Sequence, residues 1–443
     1  MEQATPIFES GWMVVVSLSI LGLVYAALIL DKLNQAIAAL CGAALMILSG
    51  VVHQERAFAG IDLNTIFLLI GMMIVVGLTK HSGLFQFVAI RAAQMVRGSP
   101  RALLMVLGLL TAVFSAFLDN VTVVMLIVPI SLLLAEQLKQ DAYPFLFSQI
   151  FFSNVGGTAT LIGDPPNILI GSSVGLSFMD FLVNLGPPVV LVSAFLVLVF
   201  DLIWGRKMKT SMRARYHVLR YNPAAAITDP VMVRQSLFVI ALVVAGFIFG
   251  RQLEIETGSV ALAGAALLLF LHCVRKPAEE QTKRVHKALH EVEWESILFF
   301  VGLFIIVAGV REAGVLDWLA ERIIALTHGS LPVAGGLIFW TSTAFSAFIN
   351  NIPYVATLIP VVKGMAADMG GEAAIRPLWW MLAMGACLAG NGTLVGSSAN
   401  VIVAGFAARA GQPIGFFRFM RLALPLMLAT VVIAYGCAWL RYF

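Results

Sequence analysis

The chain has 443 residues, 60% of them hydrophobic and only 12% charged, against roughly 45–50% apolar and about 25% charged in soluble domains. No water-facing core absorbs that much apolar surface, so the composition excludes a soluble domain and leaves an all-α polytopic membrane protein, expected in a cell inner membrane. The net charge of +4 carries no nucleic-acid signal, because the bases gather in loops between apolar runs.

About 20 apolar residues cross roughly 30 Å of hydrocarbon. On that measure the chain crosses near 11–30, 34–52, 62–80, 145–175 and 185–205, then, after a basic stretch, near 234–250, 257–274, 295–311, 376–408 and 420–440. Residues 1–10 have neither a basic segment nor a small-residue cleavage site, so the first run reads as a retained helix and not a leader. The stretches 101–137 and 332–366 are too long for one straight crossing and are interrupted by polar residues; each reads as a re-entrant helix–turn–helix hairpin. Stretches 84–97 and 315–327 are amphipathic and read as helices lying at the interface.

This organisation gives an N-terminal half, 1–205, a basic linker, 206–233, and a C-terminal half, 234–443. Five crossings per half is an odd number, which turns the second half upside down. The bases of 206–234 and 275–294 place both loops in the cytoplasm and the N-terminus outside. A gapless internal match supports duplication: at an offset of 231, Thr65–Gly71 falls on Ser296–Gly302, Gly83 on Gly314, Gly98-Ser99 on Gly329-Ser330, Ser115–Asn120 on Ser346–Asn351, and Pro129 on Pro360. Two residues further on, Thr160–Gly163 meets Thr393–Gly396 and Asn167 meets Asn400. Inverted repeats with broken helices point to an alternating-access transporter whose site lies where the helices break.

Four polar interruptions mark that site. The hairpin tips are Asp119, Asn120 and Thr122 in the first half and Asn350 and Asn351 in the second. The crossings 145–175 and 376–408 break at Ser153, Asn154, Gly157, Thr158 and Thr160, running on to Asp164 and Asn167, and at Asn391, Gly392 and Thr393, running on to Ser397, Ser398 and Asn400. Broken helices free amides and carbonyls for a small polar or ionic solute. Asp119 and Asp164 are acids at bilayer depth, where the functional reading is proton carrier or cation ligand and the structural one is a helix cap. A Na⁺ ion is expected near Asp119, Asn120 and Asn154. The mates Asn350 and Ser397 are neutral, so coupling is expected mainly in the first half. Cys41, Cys273, Cys387 and Cys437 are dispersed in apolar runs and read as small buried hydrophobes. His81 and His328 read as interfacial. With no Walker loop, triad or metal-ligand cluster, no enzymatic function and no cofactor beyond the coupling ion, H⁺ or Na⁺, is expected.

Phe117–Thr122 and Ser153–Asn167, with Gly163-Asp164-Pro165-Pro166-Asn167 as the most specific element, resemble the ion transporter superfamily, in its arsenite-permease and melanosomal P-protein branch. The resemblance runs through nearly the whole chain. It implies a dicarboxylate-transporter-like fold, a homodimer formed by scaffold helices, elevator-type movement of hairpins with broken helices, and in some members a separate cytoplasmic ATPase, for which 206–234 is the accessible surface. Dicarboxylate transporters pair two Ser-Asn-Thr motifs; here Gly156-Gly157 precedes Thr158 and the second half reads Gly390-Asn391-Gly392-Thr393, a departure that argues against citrate or succinate. The expected function is an ion-coupled permease for a small inorganic or anionic solute, first arsenite or antimonite efflux, then Na⁺/H⁺ antiport, then Na⁺-coupled dicarboxylate transport or an anion channel.

Overall fold

A computed structural model describes residues 11–30 and 33–443; residues 1–10, whose lack of leader signals makes the first run read as a retained helix, lie outside the described residues. The first half comprises α1 (Gly11–Leu30), α2 (Gln35–Leu48), the short α3 (Gln54–Ala59), α4 (Leu63–Lys80), α5 (Leu84–Met95), α6 (Pro100–Ser115), α7 (Asn120–Gln137), α8 (Tyr143–Thr158), α9 (Pro165–Val174) and α10 (Phe178–Ile203). After α11 (Met212–Leu219), the second half holds α12 (Pro230–Phe249), α13 (Thr257–Cys273), α14 (Ala278–His290), α15 (Trp294–Glu312), α16 (Val315–Thr327), α17 (Leu331–Ser346), α18 (Asn351–Gly364), α19 (Arg376–Ala389), α20 (Ser398–Arg409) and α21 (Phe416–Tyr442). Among the described residues seven helices are long and apolar enough to cross a membrane, with α2, α6, α13 and α17 shorter apolar companions. The chain is a multi-pass membrane protein.

Helix boundaries run in register. α4, α5, α6 and α7 recur as α15, α16, α17 and α18, each starting 231 residues later, and α8 and α9 recur as α19 and α20 at a shift of 233. The turn before each hairpin repeats down to its dihedral angles: φ is 52° at Arg97 and 61° at Gly98, 50° at His328 and 66° at Gly329. Gly98 N–H donates to Ala93 O and Gly329 N–H to Ile324 O, both at 3.1 Å, the left-handed close of a helix that glycine adopts at least cost.

Packing then exchanges elements between halves: α2 lies against α15 and α13 against α4. Both contacts need a missing side chain. A Cβ on Gly71 would fall 2.5 Å from the Ala261 backbone, and one on its mate Gly302 would fall 2.6 Å from the Ala39 backbone, the small-residue approach by which helices associate in lipid. Within halves, α6 packs on α8 and α17 on α19, with the large and small residues swapped. In the first half Gly108 of α6 faces Phe152 of α8, where a Cβ would meet the ring at 2.6 Å. In the second, Phe339 of α17 stands at the position of Gly108 and Gly385 of α19 at that of Phe152, a Cβ there falling 2.6 Å from Phe339 O.

One expectation changes. The reading from sequence breaks the first crossing at Asn154–Thr158, yet α8 stays helical through Thr158 and the irregular segment is 159–164. Gly156 is there for proximity: its Cβ would lie 2.1 Å from Ala112 O. The second crossing does break where expected, through one 3₁₀ turn at Gly390–Gly392.

Candidate functional site

Four helices begin at one place. Asp119, Asp164, Asn350 and Ser397 are the N-cap residues of α7, α9, α18 and α20, and all four line a single cavity of about 460 Å³. The N-termini carry free amides and the positive end of each helix dipole, so the backbone alone makes the site electropositive. Its side chains reverse that. Asp119, Asp164, Glu293 and Glu295 line the cavity, and among the described residues no Lys, Arg or His does. Neutral residues Gln35, Asn120, Asn351, Ser296 and Ser398 add to the polar lining, with Met73, Phe300 and Phe348 among the apolar wall. On α14, by contrast, Arg284 lies 2.7 Å from Glu280 and holds that carboxylate below its usual range.

The two deep acids differ in their bonds. Asp119 caps α7, accepting from Thr122 N–H at 2.8 Å, so its cap and cavity roles coexist. Asp164 is buried and makes no cap bond; Asn351 Nδ2, from the other half's hairpin tip, approaches its two oxygens at 3.4 and 3.5 Å.

Behind the cavity Asn154 ties four segments together. Its Oδ1 accepts from Asn120 Nδ2 at 3.1 Å and Ser397 Oγ at 3.0 Å, and its Nδ2 donates to Asn391 Oδ1 at 3.0 Å and Asn400 Oδ1 at 3.1 Å. In the repeat the same position is Cys387, whose thiol donates to Asn167 Oδ1 at 3.5 Å. The remaining amides hold the breaks open. Asn167 Nδ2 donates to the carbonyls of Thr158 and Thr160 at 3.1 and 2.9 Å, and Asn400 Nδ2 to those of Gly390 and Thr393 at 2.7 and 2.8 Å. Thr160 and Thr393 hydroxyls reach back to the hairpin carbonyls of Ala116 and Ala347. Buried carbonyls that no helix pairs are thereby satisfied.

Of the residues expected from sequence, Asp119, Asn120, Asp164, Asn350, Asn351, Ser397 and Ser398 line the cavity. Asn154, Thr160, Asn167, Asn391, Thr393 and Asn400 support it from behind. Thr122 serves the α7 cap, Ser153 and Thr158 bond within α8 to Ile150 O and Asn154 O, Gly157 lies against Gly163 O and Gly392 against Met427. Glu293 was not expected. It stands between Glu291 and Glu295 at a span end, where such a run reads as a solvated flank; the available signal was its alignment at offset 231 with Asp62, an acid at the start of the equivalent helix. His81 pairs with Glu291 at 2.7 Å.

Residues 25–385 match the citrate transporter family, CitMHS. The chain belongs to that family. An uncharacterized transporter of Mycobacterium tuberculosis is 39% identical over 435 residues, covering 97% of this chain and 99% of the relative. The human P protein is 30% identical over 502 residues, which take in 95% of this chain and 59% of the P protein. The crystal structure of the YdaH transporter of Alcanivorax borkumensis, described as having an unusual topology, superposes with a TM-score of 0.63 at 15% identity, covering 97% of this chain and 96% of that one; that likeness concerns the fold. This CitMHS-family chain is a membrane transporter of the citrate-transporter and P-protein type.

Proposed function

We propose that the chain is an ion-coupled secondary permease in which Asp119 and Asp164 take the coupling H⁺ or Na⁺, and that its solute is small and inorganic, first arsenite or antimonite moved outward. The observation that carries this is a cavity with four helix N-termini, the acids Asp119 and Asp164 and no described base. Ionised, the acids cancel the field of the N-termini; a proton or Na⁺ on them restores it, so ion and solute occupancy are linked through one set of charges. Arsenite is an uncharged hydroxide at neutral pH, and the amides of Asn120, Asn350 and Asn351 with the hydroxyls of Ser397 and Ser398 match its donors and acceptors. Citrate, the solute for which the family is named, would carry several carboxylates into a cavity with four acids and no described base, which requires cations to enter with it.

Na⁺/H⁺ antiport is the second reading, favoured by two deep carboxylates in one cavity. The architecture suits inversion of the halves and movement of hairpins and broken helices past α1, α2, α4, α12, α13 and α15. Such movement must break Asn64 Nδ2 to Ser172 Oγ at 2.9 Å and Tyr25 Oη to Pro353 O at 2.9 Å. A homodimer and an ATPase docked at 206–234 belong to the same reading and are tested by sedimentation and pull-down. The decisive measurement uses proteoliposomes under an imposed pH or Na⁺ gradient, assayed for arsenite, Na⁺, succinate and citrate flux. Gradient-driven arsenite flux supports the first reading; Na⁺ flux alone selects antiport; citrate or succinate flux alone overturns both.

A further inference from the structure

Helices α4 and α15 are repeat mates, and each begins with an acid: Asp62 is the N-cap residue of α4 and Glu293 that of α15. The two acids line different cavities. Glu293 opens on the cavity that holds Asp119 and Asp164, whereas Asp62 lines a separate one of about 530 Å³ with Arg56, Arg311, Glu312 and Lys363. Their bonding differs as much as their surroundings. Asp62 is fully engaged in capping: Oδ1 accepts from Thr65 N–H at 3.2 Å and Oδ2 from Thr65 Oγ at 2.9 Å. Glu293, one methylene longer, makes no cap bond. Its Oε2 accepts from Ser296 Oγ at 3.2 Å, and among the described residues Oε1 has no hydrogen-bond partner.

Neither acid belongs to a hairpin or a broken helix. Both sit on helices that pack across the halves, α4 on α13 and α15 on α2, so each remains with its own cavity when the hairpins move. Charged groups facing Glu293 are Asp119 from the α7 tip, Asp164 from α9, Glu295 from its own helix and Lys80 from α4. Lys80 and His81 are themselves drawn to Glu291, at 3.5 and 2.7 Å, and Asn34 Nδ2 occupies Glu295 Oε1 at 2.7 Å. Glu293 and Glu295 thus each keep one oxygen with no hydrogen-bond partner among the described residues, and Glu293 is the less exposed of the two.

We infer that Glu293 is the positioning residue through which the coupling cation is handed to Asp119 and Asp164 from one face of the membrane, and that Asp62 is its counterpart at the opposite face. The assignment rests on the ion-coupled reading above. The asymmetry follows from the bonding: the Glu293 face offers an unengaged oxygen among acids, while the Asp62 face offers a capped carboxylate among bases. Ion entry from the Glu293 face is therefore the one that depends more on its N-cap acid.

The test uses the full chain in proteoliposomes of known orientation, with a pH or Na⁺ step applied to one face at a time. Proton movement is read by an enclosed pH dye and Na⁺ by isotope. Glu293→Gln, which keeps an acceptor for Ser296, is expected to lower ion-driven flux roughly fivefold or more and to displace its pH profile when the step is applied to the Glu293 face, with the other face unchanged. Asp62→Asn is expected to act on the opposite face and more weakly, and Glu293→Asp to restore most of the flux. Wild-type coupling with a Glu293→Gln profile that superimposes on it from both faces overturns this assignment alone. Both variants acting on the same face do so too. If the wild type moves neither ion under either gradient, the coupling reading and this assignment fall together.

Discussion

The two halves of the site share a backbone and differ in charge. Each presents a hairpin tip, a break and a helix N-terminus at matching positions, and in each an asparagine pins the break by donating to two carbonyls, Asn167 in the first half and Asn400 in the second. Yet the first half places Asp119, Asn154 and Asp164 where the second places Asn350, Cys387 and Ser397. The shared parts are those that satisfy backbone groups, which any broken helix at bilayer depth must do. The unshared parts are side chains aimed at the cavity or at the other half. Geometry at the tips and breaks is thus a property of both repeats, and charge at those positions a property of one; the second half's acids, Glu293 and Glu295, enter the cavity from α15 instead.

The sharpest way to break that comparison is to remove the charge. Asp164→Asn and Asp119→Asn are each expected to abolish gradient-driven flux while the protein still elutes as a folded species, because a buried hydrogen bond to a charged group contributes about 1.5–3 kcal/mol, a change of roughly one to two decades in ion affinity. Flux in Asp119→Asn with an unaltered pH profile excludes that acid as carrier. The reciprocal change, Ser397→Asp, moves an acid into the second half and should shift the ion dependence without restoring flux to Asp164→Asn.

Next in size is Asn154→Ala. It leaves Asn120, Ser397, Asn391 and Asn400 each without a partner they now have, and an unsatisfied buried group costs about 1–3 kcal/mol. Detergent-solubilised protein should lose several degrees in unfolding temperature, and a change no larger than that of a lipid-facing substitution such as Leu198→Ala contradicts the tie.

The swapped pair in the hairpin contacts gives a smaller, more specific effect. Gly108→Phe in the first half overpacks against Phe152 and should cost about 1–3 kcal/mol. Gly108→Phe with Phe152→Gly copies the second half's arrangement and should recover part of it, a coupling that only contacting residues show. Thermal unfolding of both singles and the double gives the cycle; strict additivity rules out the size exchange.

Much of this was legible in the sequence because the bilayer imposes lengths. Stretches such as 101–137 overshoot one crossing, and their polar interruptions at Asp119-Asn120 and Asn350-Asn351 leave a tip as the remaining solution. Repeated Gly, Asn and Pro survive alignment where Leu and Val do not. What failed was the meaning of Gly156-Gly157. A glycine pair signals either an unwound helix or a close approach, and the deciding atom, Ala112 O, belongs to a different helix. Glu293 was missed for a related reason: an acid at a helix start looks solvated until the hairpin tips of both halves are placed beneath it. The Gly108 and Phe152 exchange was invisible because neither residue aligns with its like.

The smallest expected effect lies at Cys387, a thiol at the place where the first half carries the Asn154 carboxamide. A thiol beside Asp164 and Asn167 invites a thiolate–arsenic bond, but Cys387 is fully buried and is absent from the cavity lining. Its thiol spends its proton on Asn167 Oδ1, a weak bond compared with the four that Asn154 makes. Cys387→Ala should therefore leave arsenite flux within roughly threefold of wild type and cost under about 1.5 kcal/mol, whereas Asn154→Ala does neither. Loss of arsenite flux with retained Na⁺ flux in Cys387→Ala would move solute recognition into the second half. The two repeats would then divide the work, the first holding the ion and the second the solute.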